Sequence, residues 1–251
     1  MRLFVLAWQF LTVLPLGPLG RTAHLPSPQD LAKSMVFYPI VGLLLGLLLA
    51  LTEAVLSGWL SRPLTVLVLI GLLALLTGGL HLDGLADAVD GLGGGHTKEE
   101  ILAIMRDAHI GAFGVVGLVL LLALRYEALV EMPGQFMSQA LMVMPVVGRT
   151  AMVVASAAAP YAREEEGLAK PFVEHQSAVL AVVTAGVAVA IAVAFFHFAG
   201  LLIVGFLGVG VFGMVAYCRW RCGGITGDIL GALNEVTEVL FLIGLPVVMR
   251  V

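Results

Sequence analysis

Seven apolar runs, separated by short clumps of charge, constrain this chain more than any other feature. They cover about residues 35–56, 63–80, 110–128, 137–159, 178–197, 199–217 and 232–249. A helix needs about 20 apolar residues to cross a hydrocarbon core, and inside it every backbone polar group must be satisfied by the protein. Charged residues make up 12% of the chain and hydrophobic ones 60%, about half the charge of a soluble domain. Runs this long exclude a transmembrane β-barrel, whose strands alternate apolar and polar positions. Thirty glycines suit helices that pack closely. The expectation is an all-α, polytopic membrane bundle of about seven transmembrane helices, folded as a single integral membrane domain over residues 1–251.

The N-terminal stretch MRLFVLAWQFLTVLPLG has one basic residue, but Trp8 and Gln9 interrupt its apolar run and no small-residue cleavage site follows Leu16. It reads as a helix lying in the interface, or tilted into the bundle, that ends at Pro15. In the polar stretch 17–34, Ser27 or Ser34 can cap the next helix and Asp30 suits a first turn. Trp59 anchors the turn after the first span at an interface. Thr97 with Glu100 forms a capping box that opens the helix TKEEILAIMRDAHIG, which lies along the membrane or on the bundle. Pro145 is expected to kink the fourth span, and the fifth and sixth join through HFAG around His197. With seven spans, Arg21, Lys33, Lys98, Arg106, Arg163, Lys170, Arg219 and Arg221 share one side, and Arg62, Arg125 and Arg250 the other. Eight basic residues against three place the first group in the cytoplasm. No basic stripe with interleaved aromatics exists, so nucleic acid is not an expected partner. Cys218 and Cys222 read as free thiols.

The chemistry concentrates in two polar excursions on that same side. Residues 81–91 read HLDGLADAVDG, and Asp83, Asp87 and Asp90 fall four and three residues apart, on one face of a helix. An acidic helix start is favoured by the macrodipole, which accounts for one or two of them. Three on one stripe, separated by apolar residues, repel one another unless a cation sits among them. Oxygen ligands suit magnesium, manganese or calcium. His81 lies just upstream.

The second excursion, YCRWRCGGITGDILGALNEVTE, places Asp228, Glu235 and Glu238 near one stripe, with Asn234 between. Glutamates inside an apolar helix need a polar cavity or a partner. Gly223, Gly224 and Gly227, beside Arg219 and Arg221, suggest backbone amides that cradle a diphosphate at a helix start. A third group is Arg106, Asp107 and His109: Arg106 can offset phosphate charge, Asp107 can complete a metal shell, and His109 can hydrogen-bond substrate or act as a base. Arg149, in mid-span, needs an acidic partner or an anionic ligand. Arg163 with Glu164, Glu165 and Glu166 reads as a solvated loop. His24, His96, His175 and His197 carry no assignment.

The motifs GGLHLDGLADAVDGLGGG, IMRDAHIGAFGV and RCGGITGDILGALNEVTE, in that order, resemble the cobalamin synthase family, the adenosylcobinamide-GDP ribazoletransferases. The resemblance covers the whole chain. It implies transfer of adenosylcobinamide phosphate from adenosylcobinamide-GDP to α-ribazole or α-ribazole 5′-phosphate with release of GMP, late in vitamin B12 assembly. It also implies magnesium, an active site at the cytoplasmic face of the inner membrane, and the lipid bilayer as surroundings. A homo-oligomer or other cobalamin-assembly enzymes stay open as partners. Asp83, Asp87 and Asp90 would then hold the metal. Asp107 or Asp228, with His109, would serve the proton. His81, Arg106, Arg219, Gly224, Gly227, Asn234, Glu235 and Glu238 would bind substrate and phosphate. The same motif is distantly similar to the D-x-x-D-G of CDP-alcohol phosphotransferases, matched by Asp87, Asp90 and Gly91. The alanine–arginine pair of that group is replaced by Gly94 and Gly95, which disfavours phospholipid synthesis. A corrinoid or cation transporter is disfavoured because the acids gather at one face rather than at mid-membrane.

Overall fold

The computed structural model describes residues 1–16, 25–165 and 167–249, so Arg21, His24, Glu166 and Arg250 lie outside the described residues. In chain order the helices are α1 (Arg2–Leu11), α2 (Pro28–Ser34), α3 (Tyr38–Leu56), α4 (Arg62–Leu76), α5 (Leu80–Gly94), α6 (Lys98–Ile104), α7 (Ala112–Val130), α8 (Gly134–Ala158), α9 (Lys170–Glu174), α10 (Ala178–Cys222) and α11 (Gly227–Val248), with a 3-10 turn at Met35–Phe37. Among the described residues, five helical stretches are long and apolar enough to cross a membrane: Pro28–Leu56, Ala112–Val130, Gly134–Ala158, Ala178–Cys222 and Gly227–Val248. A sixth arises if α4 and α5, bent by 90°, are taken as one broken span. The protein is thus an all-α, multi-pass membrane bundle. Helix α1 has ten residues, about 15 Å, too short to cross.

Local sequence sets the helix starts. Ser27 with Asp30 and Thr97 with Glu100 form reciprocal capping boxes at α2 and α6. The corner between α4 and α5 is turned by Gly78 and Gly79, at φ 63° and 71°, values that side chains with a Cβ rarely adopt. Helix α8 continues through Pro145 to Ala158 and forms the centre of the bundle. Gly42 and Gly46, one turn apart on α3, face the α8 backbone at Pro145 and Met142, where a Cβ would collide with main chain. Small residues here let the two helices touch along their backbones.

Helix α10 is too long for a single crossing. Straight, its 45 residues would reach about 68 Å, more than twice a hydrocarbon core. It is broken at His197 (φ 52°, ψ −130°), where the HFAG junction stands. A Cβ on Gly200 would strike the carbonyl of Ala192, eight residues back, which a straight helix would hold about 12 Å away. Residues of its two arms border one cavity, Ala181 and Ala188 from the first and Leu207 and Val211 from the second. The loop after it pairs with the end of α8, Ile225 donating to the Pro160 carbonyl at 3.0 Å and Ala162 to the Ile225 carbonyl at 2.9 Å. The chain therefore doubles back at His197.

Two apolar clusters form the interior, one around Tyr38, Leu85, Ile101 and Phe172 and one around Leu69, Leu129, Leu141 and Phe241. A charged layer divides them. On α7, Arg125 lies between Leu121 of the first cluster and Leu129 of the second; on α8, Arg149 lies between Ala151 of the first and Val147 of the second.

Candidate active site

The first acid stripe and the start of α11 come together through two glycines. A Cβ on Gly84 would sit 3.1 Å from the Asp228 Cα and 3.4 Å from the Gly231 Cα, and Gly231 packs in turn on the His81 backbone. This backbone contact between α5 and α11 sets Asp83 and Asp87 beside Asp228. Thr226 caps α11 by accepting from the Ile229 amide at 3.2 Å, and its hydroxyl donates to Asp228 at 3.2 Å. Arg163 reaches Asp228 at 2.7 Å from the loop after α8. This pair was missed by reading Arg163 as solvated loop. The signal available was its place in a short polar loop on the same side as both acid stripes.

Asp83, Asp228 and Arg163 line a cleft of about 290 Å³, together with His81, Tyr38, Phe10 and Phe172. Asp83 also borders a wider opening of about 770 Å³ that includes Asp87, Thr77 and Gln9. On the other side, Arg163 borders a groove of about 380 Å³ with Lys98, Arg106 and Glu165. One carboxylate and one guanidinium thus link three adjoining recesses.

The three stripe aspartates have different surroundings. Asp83 is exposed and Asp87 half-buried, and neither carboxylate has a hydrogen bond or ion pair among the described residues. Burial first, then the charges of Asp83, Asp228 and Asp90, push the Asp87 carboxyl up to about 6, while Arg163 pulls it down. Such crowding of uncompensated oxygens suits a cation. Asp90 is buried and accepts the Gly111 amide at 2.7 Å and the Gly114 amide at 2.8 Å, one on each oxygen. It ties the start of α7 to α5. As the side chains stand, no three His, Cys, Asp or Glu among the described residues are arranged to hold a metal ion.

Glu235 and Glu238 belong to the charged layer. Arg125 contacts both, each at 2.9 Å; Arg149 pairs with Glu238; and the Asn234 amide donates to Glu235 at 3.0 Å and to Glu238 at 3.3 Å. All five side chains are buried. Arg125 is therefore no loop residue, as the basic-residue count had it. It stands inside an apolar helix, and that position was the signal that it needed an acidic partner. Neither glutamate lines the cleft.

The remaining candidates scatter around the cleft. Asp107 and His109 are exposed and bonded to each other at 2.7 Å, which holds Asp107 below the usual carboxylate range. Arg106 pairs with Glu165 at 3.0 Å on the groove rim. Arg219 is exposed, and its guanidinium reaches the Ala158 carbonyl at 3.5 Å. Gly224 abuts Pro160 where the two loops pair, and Gly227 lines the cleft at the start of α11. Arg221 donates to the Gly95 carbonyl at 2.7 Å, joining the end of α10 to the loop after α5. Cys218 and Cys222 are free and buried.

Residues 3–246 match the family model described as cobalamin-5-phosphate synthase. Among curated relatives, an adenosylcobinamide-GDP ribazoletransferase of Syntrophobacter fumaroxidans is 44% identical over 86% of this chain and 87% of its own length. One of Geotalea daltonii is 38% identical over 98% and 97%, and one of Pseudomonas putida 41% identical over 96% and 97%. No solved structure matches the chain.

Proposed function

The chain belongs to the cobalamin-5-phosphate synthase family, and we propose that the cleft between α5 and α11 is where it carries out that family's reaction. The activity is that of an adenosylcobinamide-GDP ribazoletransferase in nucleotide-loop assembly of vitamin B12. The adenosylcobinamide phosphate moiety passes to α-ribazole, or to its 5′-phosphate, and GMP is released. The observation that supports placing it here is the glycine contact that sets Asp83 and Asp87, whose carboxylates have no partner among the described residues, beside the Arg163–Asp228 pair.

In the proposed reaction a sugar hydroxyl of the acceptor attacks the phosphorus next to cobinamide. The new oxygen–phosphorus bond forms as the bond to the bridging diphosphate oxygen breaks, and GMP departs with that oxygen. Asp228 takes the hydroxyl proton; it lines the cleft, whereas Asp107 is exposed and held by His109. Arg163, with Arg106 on the rim of the adjoining groove, offsets diphosphate charge. Asp83 and Asp87, with Asp90 at the buried end of their stripe, are the residues that would hold magnesium, which would supply positive charge to the diphosphate. The backbone of Gly227 borders the same space.

Residues 1–251 act as one catalytic unit in this reading. Each arm of α10 crosses the bilayer, which with α3, α4, α7, α8 and α11 makes seven crossings. The cleft then faces the cytoplasm from the inner membrane. Of the basic residues counted from sequence, Lys33, Lys98, Arg106, Arg163, Lys170, Arg219 and Arg221 remain on the cleft side, and Arg62 alone on the other, once Arg125 is buried and Arg21 and Arg250 are set aside. The test is a mass-spectrometric assay of purified protein with adenosylcobinamide-GDP, α-ribazole and magnesium. GMP and the joined corrinoid are expected together; folded protein that releases no GMP overturns the reading.

A further inference from the structure

The inner end of the cleft has a chemistry of its own. Phe10 and Phe172 meet with ring centroids 4.5 Å apart, and Tyr38 stands 6.3 Å from Phe10 and 6.4 Å from Phe172. Met35 and Met152 complete an apolar wall. Two polar side chains on this wall are buried and unsatisfied. Among the described residues, the Tyr38 hydroxyl and both ring nitrogens of His81 have no hydrogen-bond partner, at 0% and 2% exposure. A buried polar group without a partner is destabilising, so an arrangement that leaves two such side chains beside an open cleft points to a ligand that satisfies them.

We propose that this aromatic end of the cleft is the acceptor's base subsite, taking an apolar bicyclic heteroaromatic ring against Phe10, Tyr38 and Phe172, with the Tyr38 hydroxyl donating to the free ring nitrogen. The inference rests on the ribazoletransferase reading above and adds where the acceptor sits and which residue selects its base. A benzimidazole joined to ribose through one nitrogen has an apolar ring and a single remaining acceptor, which matches an apolar wall with one phenol. Guanine does not match: its ring carries several amide-type donors, and among the described residues the carboxylates lining the cleft are Asp83 and Asp228, at the Arg163 end. A corrin ring is too large for about 290 Å³. His81 lines the same cleft as Asp83 and Asp228, and in this placement its ring N–H meets a hydroxyl of the ribose. The ribose thereby points at Asp228 and Arg163, where the reaction is proposed.

The test compares wild type with Tyr38→Phe. The substitution removes only an unpartnered hydroxyl, so the ligand-free variant should unfold at the same temperature as wild type or slightly higher. Turnover is measured with adenosylcobinamide-GDP and either α-ribazole or an indole nucleoside that has C–H in place of the free ring nitrogen. Wild type should show a KM about tenfold higher for the indole nucleoside, and Tyr38→Phe should raise the KM for α-ribazole by about the same factor. The variant should then barely distinguish the two acceptors, while its KM for adenosylcobinamide-GDP stays within about twofold. Equilibrium dialysis of α-ribazole should show the same loss without turnover. Wild-type discrimination that persists in Tyr38→Phe, or a KM change confined to adenosylcobinamide-GDP, overturns the subsite while leaving the transferase reading intact. Absence of GMP from wild type overturns that reading instead.

Discussion

Replacing Arg125 with methionine tests the charged layer most directly. Arg125 and Arg149 carry two positive charges, and Glu235 and Glu238 two negative, so the layer is neutral as it stands. Arg125→Met leaves Glu235 without its cation and Glu238 with Arg149 alone. Glu235 is 4% exposed and Glu238 0%, so water cannot screen the surplus charge. Removing one partner of a buried pair costs about 3–5 kcal/mol, and methionine fills much of the vacated space. For a chain of this size that is about 6–20 °C in Tm. The double variant Arg125→Met/Glu235→Met is neutral again and should recover at least about 2 kcal/mol of the loss. The assay is thermal and denaturant unfolding in detergent of wild type, both single variants and the double. If Arg125→Met unfolds within about 1 kcal/mol of wild type, the orphaned glutamate has taken a proton and charge does not hold the layer. If the double variant loses the sum of the singles, the two residues are not coupled, and the layer cannot be described as an ion-pair network.

Asp87→Asn should lower turnover by about two orders of magnitude or more and shrink the rise in Tm that magnesium produces, with little loss of metal-free stability; near-normal turnover at low magnesium removes Asp87 from the ligand set. Gly84→Ala should cut kcat by about tenfold to a hundredfold, because its methyl meets the Asp228 backbone at 3.1 Å and moves α11 against α5; kcat within about twofold of wild type refutes the glycine contact as the feature that sets the acids' spacing. With Cys218 and Cys222 replaced by serine, single cysteines at Glu99 and Trp59 should label from opposite sides of the membrane, Trp59 from outside the cell; labelling from the same side refutes the seven-crossing arrangement.

The apolar runs were legible because a bilayer demands them, and so were the caps at Ser27 and Thr97, which are local. The break at His197 was visible in the HFAG junction between two runs. The stripe of Asp83, Asp87 and Asp90 could be read as one helix face from spacing alone. Spacing did not reveal that Asp90 is claimed by the amides of Gly111 and Gly114, more than twenty residues on. Nor could it find partners that only tertiary packing unites: Arg125 and Glu238 are 113 residues apart, and Arg163 and Asp228 are 65 apart. Glu235 and Glu238 were correctly seen to need an explanation. A helical offset says that two acids share a face, and it does not say whether that face meets a substrate or an arginine. The aromatic end of the cleft was invisible for the same reason, since Phe10, Tyr38 and Phe172 come from three separate helices.

The pairing of Tyr161 with Ile225 has a consequence for how such a protein can vary. The pairing joins the segment just before Arg163 to the segment just before Asp228, so the two are fastened to each other directly rather than through the doubled helix. The second arm of α10 runs into this clasp, and both arms face lipid over much of their surface, with Val182, Phe206, Val209 and Phe212 exposed. Adding one turn to each arm would lengthen the hairpin by about 5.4 Å and leave the clasp where it is. The hairpin is therefore the part of the chain free to follow bilayer thickness, while the clasp holds the distance between guanidinium and carboxylate constant.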